Sequence, residues 1–380
     1  MQTMTVREIR SAAELRAHAA AWDDLWDRSE AKAPMARAAF VAHWIEFFAP
    51  NSQFRAVVVE QEGRFIAALP LVVERVKHVL KVLMLPSNHW ASNGDLLLDP
   101  SIDQDAALDV LLAALSRRSQ PLFWFDRVAY DEPHWLKFKA AARRAGWLVS
   151  RREAYRIAQI EIGDDFEAYE STLSSAHRRN CRSRAKSLEK AGGEQAVVYR
   201  QGDAAELDAI VRRGFEVEDR SWKGAEGTSV LKSPGMLEFY QTEARLAAEL
   251  GHLDLSFLEH RDRAVAFAYT FYAKGTYFEI KLGYDDEFKK YGPGHLLLRH
   301  KLRRLFADPQ AELFDCRGPV LPWILNWTDC TYPVGRLVAT PPYLLGRTLF
   351  RAYDEWWPRL RGRLRMTSQS IQEPAVAEMT

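Results

Sequence analysis

The residues whose types and spacing best suit a chemical task run from Tyr277-Phe-Glu-Ile-Lys-Leu-Gly-Tyr-Asp285 into Phe288-Lys-Lys-Tyr-Gly-Pro-Gly-His-Leu-Leu-Leu298. A strand pattern leads into a glycine-bearing turn, and the turn opens a helix. Lys289-x-x-Gly292-x-Gly294 sets a cation and two glycines at the helix start. Backbone N–H groups there have no intrahelical acceptor and stand at the positive end of the helix dipole, which makes an anion site. Glycine lets a phosphate approach the backbone closely, and Pro293 costs no helical hydrogen bond in a first turn. The segment is neither a Walker A loop nor a G-x-G-x-x-G dinucleotide fingerprint. Its other reading is a plain strand-to-helix connection, and the local pattern leaves both open.

The elements that must hold this loop follow from periodicity. Leu15, Ala19, Trp22 and Trp26 predict a helix over 12–30, and a second covers about 37–48. Residues 54–60 and 65–74 read as strands joined by Gln61-Glu62-Gly63. Helices over 105–117 and 133–145 flank a strand at 122–128. A similar order returns later: strand 195–200, helices 205–221 and 235–250, strands 253–260, 264–273 and 276–285, helix 294–307, then strands 313–317 and 333–340. Glu60-x3-Arg64-x2-Ala67 is echoed by Glu259-x3-Arg263-x2-Ala266. The echo and the repeated order together predict a structural duplication. Strands mixed with helices at these intervals give an α/β (α+β) fold.

Between the halves lies a basic helix, 177–190, with His177, Arg178, Arg179, Arg182, Arg184, Lys186 and Lys190 and only Glu189 opposing, ending at Gly192-Gly193. Its cations suit either a polyanion or a solvated linker face. Residues 344–365 read as a basic, aromatic helix, suited to packing on the second half or to a membrane surface. Residues 366–380 read as a disordered tail.

Composition narrows the class. The chain has 380 residues, 47% hydrophobic and 27% charged, with a formal net charge of +1, as expected of a folded protein of about two domains. The near-neutral charge disfavours a general nucleic-acid binder, RNA included. Cys181, Cys316 and Cys330 have neither disulfide nor zinc spacing, so no metal is expected. The polar start does not read as a signal peptide, and no apolar run reaches the roughly 18 residues of a membrane span. Cytoplasm is the expected compartment.

The loop 289–294 resembles the pyrophosphate loop of the GNAT acyltransferase superfamily, Gln or Arg followed by x-x-Gly-x and then Gly or Ala, with Lys289 keeping the charge. The wider chain is similar to CelD-like (BcsL-like) GNAT proteins of polysaccharide loci. The similar segments are Ile66-Ala-Ala-Leu-Pro-Leu71, Leu173-Ser-Ser175, Ser221-Trp-Lys-Gly-Ala-Glu-Gly-Thr228, Gly283-Tyr-Asp285, Tyr291-Gly-Pro-Gly294 and Phe314-Asp-Cys-Arg-Gly318. The resemblance implies two GNAT-like halves, as in Fem-type transferases, each a mixed central sheet flanked by helices. They would span 1–160 and 161–343, with acyl-CoA as co-substrate on the second half. One departure stands out: relatives carry Tyr-Lys-x-x-Trp where this chain has Trp323-Ile-Leu-Asn-Trp327, so the lysine is replaced by Ile324.

The resemblance implies direct attack by an amine on a bound thioester, in polysaccharide or cell-envelope metabolism. The expected donor-binding residues are Lys289, Lys290, Tyr291, Gly292, Gly294 and His295. Glu279 is the first candidate base, with pairing to Lys281 as the competing reading. Asp315 is a second catalytic candidate and Arg317 would share its strand face, or the two form an internal salt bridge. Glu218, Trp222, Lys223, Lys281 and Asp285 are acceptor-side candidates. Trp222 reads equally as core, and Asp285 as a shaper of the turn. His89 and Trp90 are weaker candidates for the cleft. The acceptor would be a small-molecule or sugar amine, and an acyl carrier protein is a candidate donor. The competing functions are an aminoacyl-tRNA-dependent transferase and a non-catalytic GNAT-fold subunit of a polysaccharide complex.

Overall fold

The computed structural model describes residues 3–356 apart from 51, 77–79 and 194. The tail 366–380 and the basic aromatic segment beyond residue 356 lie outside the described residues. The first half runs β1 (Met4–Ile9), α1 (Ala12–Ala17), α2 (Ala19–Arg28), α3 (Ala38–Phe48), β2 (Phe54–Gln61), β3 (Arg64–Val76), β4 (Leu80–Met84), β5 (Leu97–Leu98), α4 (Gln104–Leu115), β6 (Phe123–Val128), α5 (Pro133–Arg144) and β7 (Leu148–Glu161). Helices α6 (Phe166–Thr172) and α7 (Ser175–Gly192) follow. Then come β8 (Gln195–Tyr199), α8 (Ala204–Asp219), α9 (Trp222–Ala225), α10 (Met236–Glu249), β9 (Leu253–His260), β10 (Arg263–Ala273), β11 (Thr276–Tyr284), α11 (Pro293–Phe306), β12 (Leu313–Asp315), β13 (Thr331–Thr340) and α12 (Leu344–Arg351).

The strands form one mixed sheet in the order β1-β2-β3-β4-β6-β13-β7-β12-β11-β10-β9-β8, with β5 beside β3. The duplication is explicit in the pairings. β1 to β4 are antiparallel neighbours and β4 pairs parallel with β6. β8 to β11 repeat the antiparallel run, and β11 pairs parallel with β12. The last strand of each half is exchanged: β13 lies against β6, and the end of β7 lies against β12. β7 and β13 then pair with each other and join the halves. The expected boundary at 160/161 falls at the end of this shared strand.

Local chemistry explains the element ends. Ser174, Asp203 and Asp103 cap α7, α8 and α4 by accepting from backbone N–H groups. The β2–β3 turn places Glu62 and Gly63 at positive φ, and the β10–β11 turn does the same with Lys274 and Gly275, as two-residue hairpins require. The single helix expected over 12–30 is two helices broken at His18. The strand expected over 313–317 ends at Asp315, and Arg317 takes a φ of 52°, so the two do not share a strand face.

Three apolar clusters cover the faces of the first-half sheet, and in one of them Phe350 of α12 packs with Val82, Leu122, Trp124 and Val338, so the described part of the basic aromatic segment lies on the first half and not, as expected, on the second. In the second half, α8 and α10 pack on one face through Phe215, Phe239, Tyr240, Phe267 and Tyr269, and α11 packs on the other. Met35, Phe40 and Trp90 of the first half join the α8–α10 core.

Candidate active site

β11 and β12 are in register only from Thr276–Leu313 to Phe278–Asp315. Beyond that they are unpaired, and a wedge opens between Glu279 onward and Cys316-Arg317-Gly318. On its other edge, β11 shifts register against β10 where Tyr269–Lys281 gives way to Thr270–Glu279. The extra residue, Ile280, is a bulge, and it changes which way the flanking side chains point.

Glu279 turns toward α11. Its Oε2 accepts from Lys301 Nζ at 3.0 Å, and Lys301 also donates to Thr270 Oγ1 at 2.5 Å. Both members of the pair are buried. The competing reading, a Glu279–Lys281 pair on one strand face, is therefore corrected by the bulge: Lys281 points to the opposite side. Lys301 escaped sequence reasoning, although a lysine within the apolar stripe Leu297, Leu298, Leu302 and Leu305 was the available signal.

Lys281 lies in the α8–α10 layer, its Nζ 5.1 Å from the Trp90 ring and 5.2 Å from the Tyr240 ring. Burial lowers its pKa to about 8. Nearby Glu243 is buried on α10, and burial raises its carboxyl to about 7. Its Oε1 accepts from Asn93 Nδ2 at 3.3 Å. Asn93 and Glu243 were not singled out from sequence, yet an acid among Phe239, Tyr240, Ala244 and Ala247 was a visible break in an apolar stripe. Trp90, one of the two weaker cleft candidates, stands beside Lys281.

Glu218 ends α8 in a fixed arrangement. Its Oε1 accepts from Lys223 Nζ at 2.7 Å and its Oε2 from the Val230 N–H at 3.1 Å. Gly283 brings β11 against this corner: a Cβ there would stand 2.9 Å from Glu218 Cα. Lys223 also donates to the Leu282 carbonyl at 3.4 Å. Trp222 is 48% exposed, so it is not core.

At the wedge, Asp315 is buried and accepts from Tyr332 Oη at 2.8 Å, Gln159 Nε2 at 3.3 Å and the Arg317 backbone N–H at 2.8 Å. The expected Asp315–Arg317 salt bridge is thus a main-chain hydrogen bond. The Arg317 guanidinium lies 5.8 Å from the Phe278 ring.

The loop after β11 is anchored by Asp285. Its buried carboxylate accepts from Arg220 Nε at 2.6 Å, from Arg263 at 2.5 and 3.1 Å, and from the Glu287 N–H at 3.1 Å. That is the turn-shaping role. Residues 286–291 form 3-10 turns that expose Lys289 and Lys290. Lys290 leans over Tyr291, which packs partly buried beside α11. Gly292 sits in the left-handed region at φ 59°, a conformation that favours glycine, and a Cβ there would meet Arg184 of α7.

The first backbone bond of α11 is Leu296 N–H to Gly292 C=O, 3.2 Å, so the N–H groups of Gly294 and His295 precede the helical ladder. A Cβ on Gly294 would touch only Tyr284, at 3.9 Å, so the approach is open. The His295 ring turns inward: its Nδ1 accepts from Trp327 Nε1 at 3.1 Å, and it lies against His177 and Trp323. Burial drives its pKa down to about 4, so the ring adds no positive charge to the helix start. Ile324 is buried beneath the same aromatic cluster.

Among the described residues there is no group of three His, Cys, Asp or Glu side chains fit to hold a metal, and no helix is long and apolar enough to cross a membrane.

Residues 175–319 match the family described as Acetyltransferase (GNAT) domain. No curated protein matches in sequence. Among solved structures, FemX superposes with a TM-score of 0.59 at 12% identity, covering 91% of this chain and 99% of that one. A conserved protein of unknown function from Bacteroides thetaiotaomicron gives 0.53 at 12%, covering 89% and 100%. The C-terminal domain of a candidate lysylphosphatidylglycerol synthetase from Agrobacterium fabrum gives 0.53 at 11%, covering 86% and 92%. At these identities the likeness is one of fold, and it extends over both halves.

Proposed function

Taking the GNAT acetyltransferase match over residues 175–319 as premise, we propose that this chain transfers an acyl group from acyl-CoA to an amine. One observation carries the reading. The wedge between β11 and β12 opens at the end of β11 that leads to unblocked N–H groups at the start of α11. A thioester arm laid in that wedge would bring its diphosphate to Gly292–His295, with Lys289, Lys290 and Arg184 supplying positive charge.

The chemistry is a direct displacement. The neutral amine adds to the thioester carbonyl, a backbone N–H of the unpaired part of β11 steadies the oxyanion, and the thiolate leaves and takes up a proton. The acceptor amine loses its proton on the α8–α10 side of the sheet. Glu279 is committed to Lys301, so we assign the proton to Lys281, which has no hydrogen-bond partner among the described residues. Glu279 and Asp315 serve as positioning residues, holding β11 to α11 and β12 to β13. Glu218, Lys223, Trp222 and Trp90 border the acceptor. The resemblance to CelD-like proteins at residues 221–228 and 314–318 supports a sugar amine as its class.

The test is thiol release from acetyl-CoA with a panel of amino sugars and alkylamines between pH 6 and 10. Lys281 accepts a proton only when neutral, so kcat/KM should climb with pH and level off above about 8. Lys281→Met should lose that step and fall about 100-fold at pH 8.5, a typical general-base contribution. Comparing enzymes with one acceptor separates this step from the acceptor's own ionisation. An unchanged step in the variant would remove Lys281 from the mechanism, and no thiol release with any amine would remove the acyltransfer reading.

A further inference from the structure

We propose that the outer face of α7 docks an acidic carrier protein, which presents its acyl group on a phosphopantetheine arm. The inference rests on the thioester reading above and names a second source for that thioester.

Arg178, Arg182, Lys186 and Lys190 follow one another at four-residue intervals, with Arg179 alongside. Arg178 is half-buried with its Nε covered, and the exposed four, Arg179 to Lys190, form a ridge about 16 Å long, from 11 residues at about 1.5 Å each. Among the described residues none of these five side chains, nor Arg184, makes an ion pair. On the neighbouring α11, by contrast, Arg299 and Arg303 take Glu170 and Glu167 of α6. Like charges four apart on a helix repel and destabilise it. The ridge therefore carries a cost that an acidic partner would remove.

The opposite face of α7 fixes its place. His177, Cys181 and Leu188 are buried, and Arg184 abuts Gly292 of the donor loop. The ridge thus rides on the element that borders the anion site. Arg184, Lys289 and Lys290 suffice for the phosphates of a CoA, and a row of this length on the far side of the helix exceeds that need. Phosphopantetheine is common to CoA and to carrier proteins, and the arm need pass only one helix, about 10 Å across, to enter the same wedge.

The composition of the ridge favours a protein over other polyanions. Residues 178–190 contain no aromatic side chain, so nothing there can stack on a nucleic-acid base. Leu188 is buried, so no large apolar side chain is exposed to enter a lipid surface. Single charges at helical spacing fit a facing row of carboxylates on one helix.

The experiment uses the full chain and the triple variant Arg179→Glu, Arg182→Glu, Lys186→Glu. The probes are hexanoyl-CoA, a bacterial fatty-acid acyl carrier protein loaded with hexanoyl-phosphopantetheine, and bulk tRNA. Binding of labelled carrier should weaken at least tenfold in the variant and at least tenfold between 50 and 300 mM salt, an order-of-magnitude expectation for a charge-steered contact. Hexanoyl-CoA should bind both proteins within about twofold, which also reports that the variant is folded. Carrier binding that is absent from the wild type, or unaltered in the variant, overturns the proposal while hexanoyl-CoA binding leaves the acyltransfer reading standing. Binding of tRNA in preference to carrier, lost in the variant, overturns it in favour of RNA. Failure of both thioesters to bind overturns the acyltransfer reading itself.

Discussion

Lys301→Met should cost about 3–5 kcal/mol of stability, the usual penalty for leaving a buried charge without its partner. Lys301 is fully buried and bridges Thr270 on β10 and Glu279 on β11. Its removal strands the Glu279 carboxylate among apolar side chains. The double variant with Glu279→Met should regain most of the loss, because a buried pair replaced by apolar groups of similar size is often neutral. Urea unfolding of the two single variants and the double supplies the cycle. Additive losses would mean that the two side chains are not coupled, and that Glu279 is free for another task.

The second large effect is expected at Asp285. Asp285→Ala removes the acceptor for two arginines and for the Glu287 N–H, and should destabilise the protein by about 3 kcal/mol. Because the same carboxylate holds the start of the loop that carries Lys289 to Gly294, donor affinity should fall with it. Asp285→Asn keeps a side-chain oxygen for the Glu287 N–H and lacks the charge, so it should lie between. A calorimetric CoA titration beside the unfolding curves checks both. Full donor affinity in a destabilised Asp285→Ala protein would show that the anchor is irrelevant to the loop's task.

How much of this was legible in the sequence depended on the kind of signal. The second-half strands, the hairpin turns at Glu62-Gly63 and Lys274-Gly275, and the helix opening at Pro293 were readable because each rests on local periodicity or turn chemistry. β7 was not. Its stretch Ser150-Arg-Arg-Glu-Ala-Tyr-Arg156 is largely exposed or half-buried, so no apolar alternation announces a strand. Tertiary pairing with β13 and β12 makes it one. The exchange of β7 and β13 between halves is a long-range fact, with no local trace.

The site divides in the same way. The Lys289–Gly294 loop stood out as a candidate because its case rests on backbone chemistry at short spacing. The roles of Glu279 and Lys281 were not separable, because a single bulged residue, Ile280, reverses the alternation that sequence spacing assumes. Lys301 and Glu243 are partners from distant helices. Only their intrusion into apolar stripes hinted at them. Trp90 and Asn93 arrive from the first half, across about 150 positions of chain from Tyr240 and Glu243.

The central claim is that the start of α11 binds the diphosphate of a thioester donor. Thermal unfolding with and without acetyl-CoA, for wild type, Gly294→Ala and Gly294→Trp, tests it most directly. At about 100 times its dissociation constant the ligand should add roughly 2.7 kcal/mol to the wild type. Gly294→Ala should keep most of that gain, since the space beyond its Cβ is open, and Gly294→Trp should abolish it by covering the free N–H groups. A wild type that is not stabilised by acetyl-CoA, or a Gly294→Trp variant stabilised as fully as the wild type, would contradict the claim.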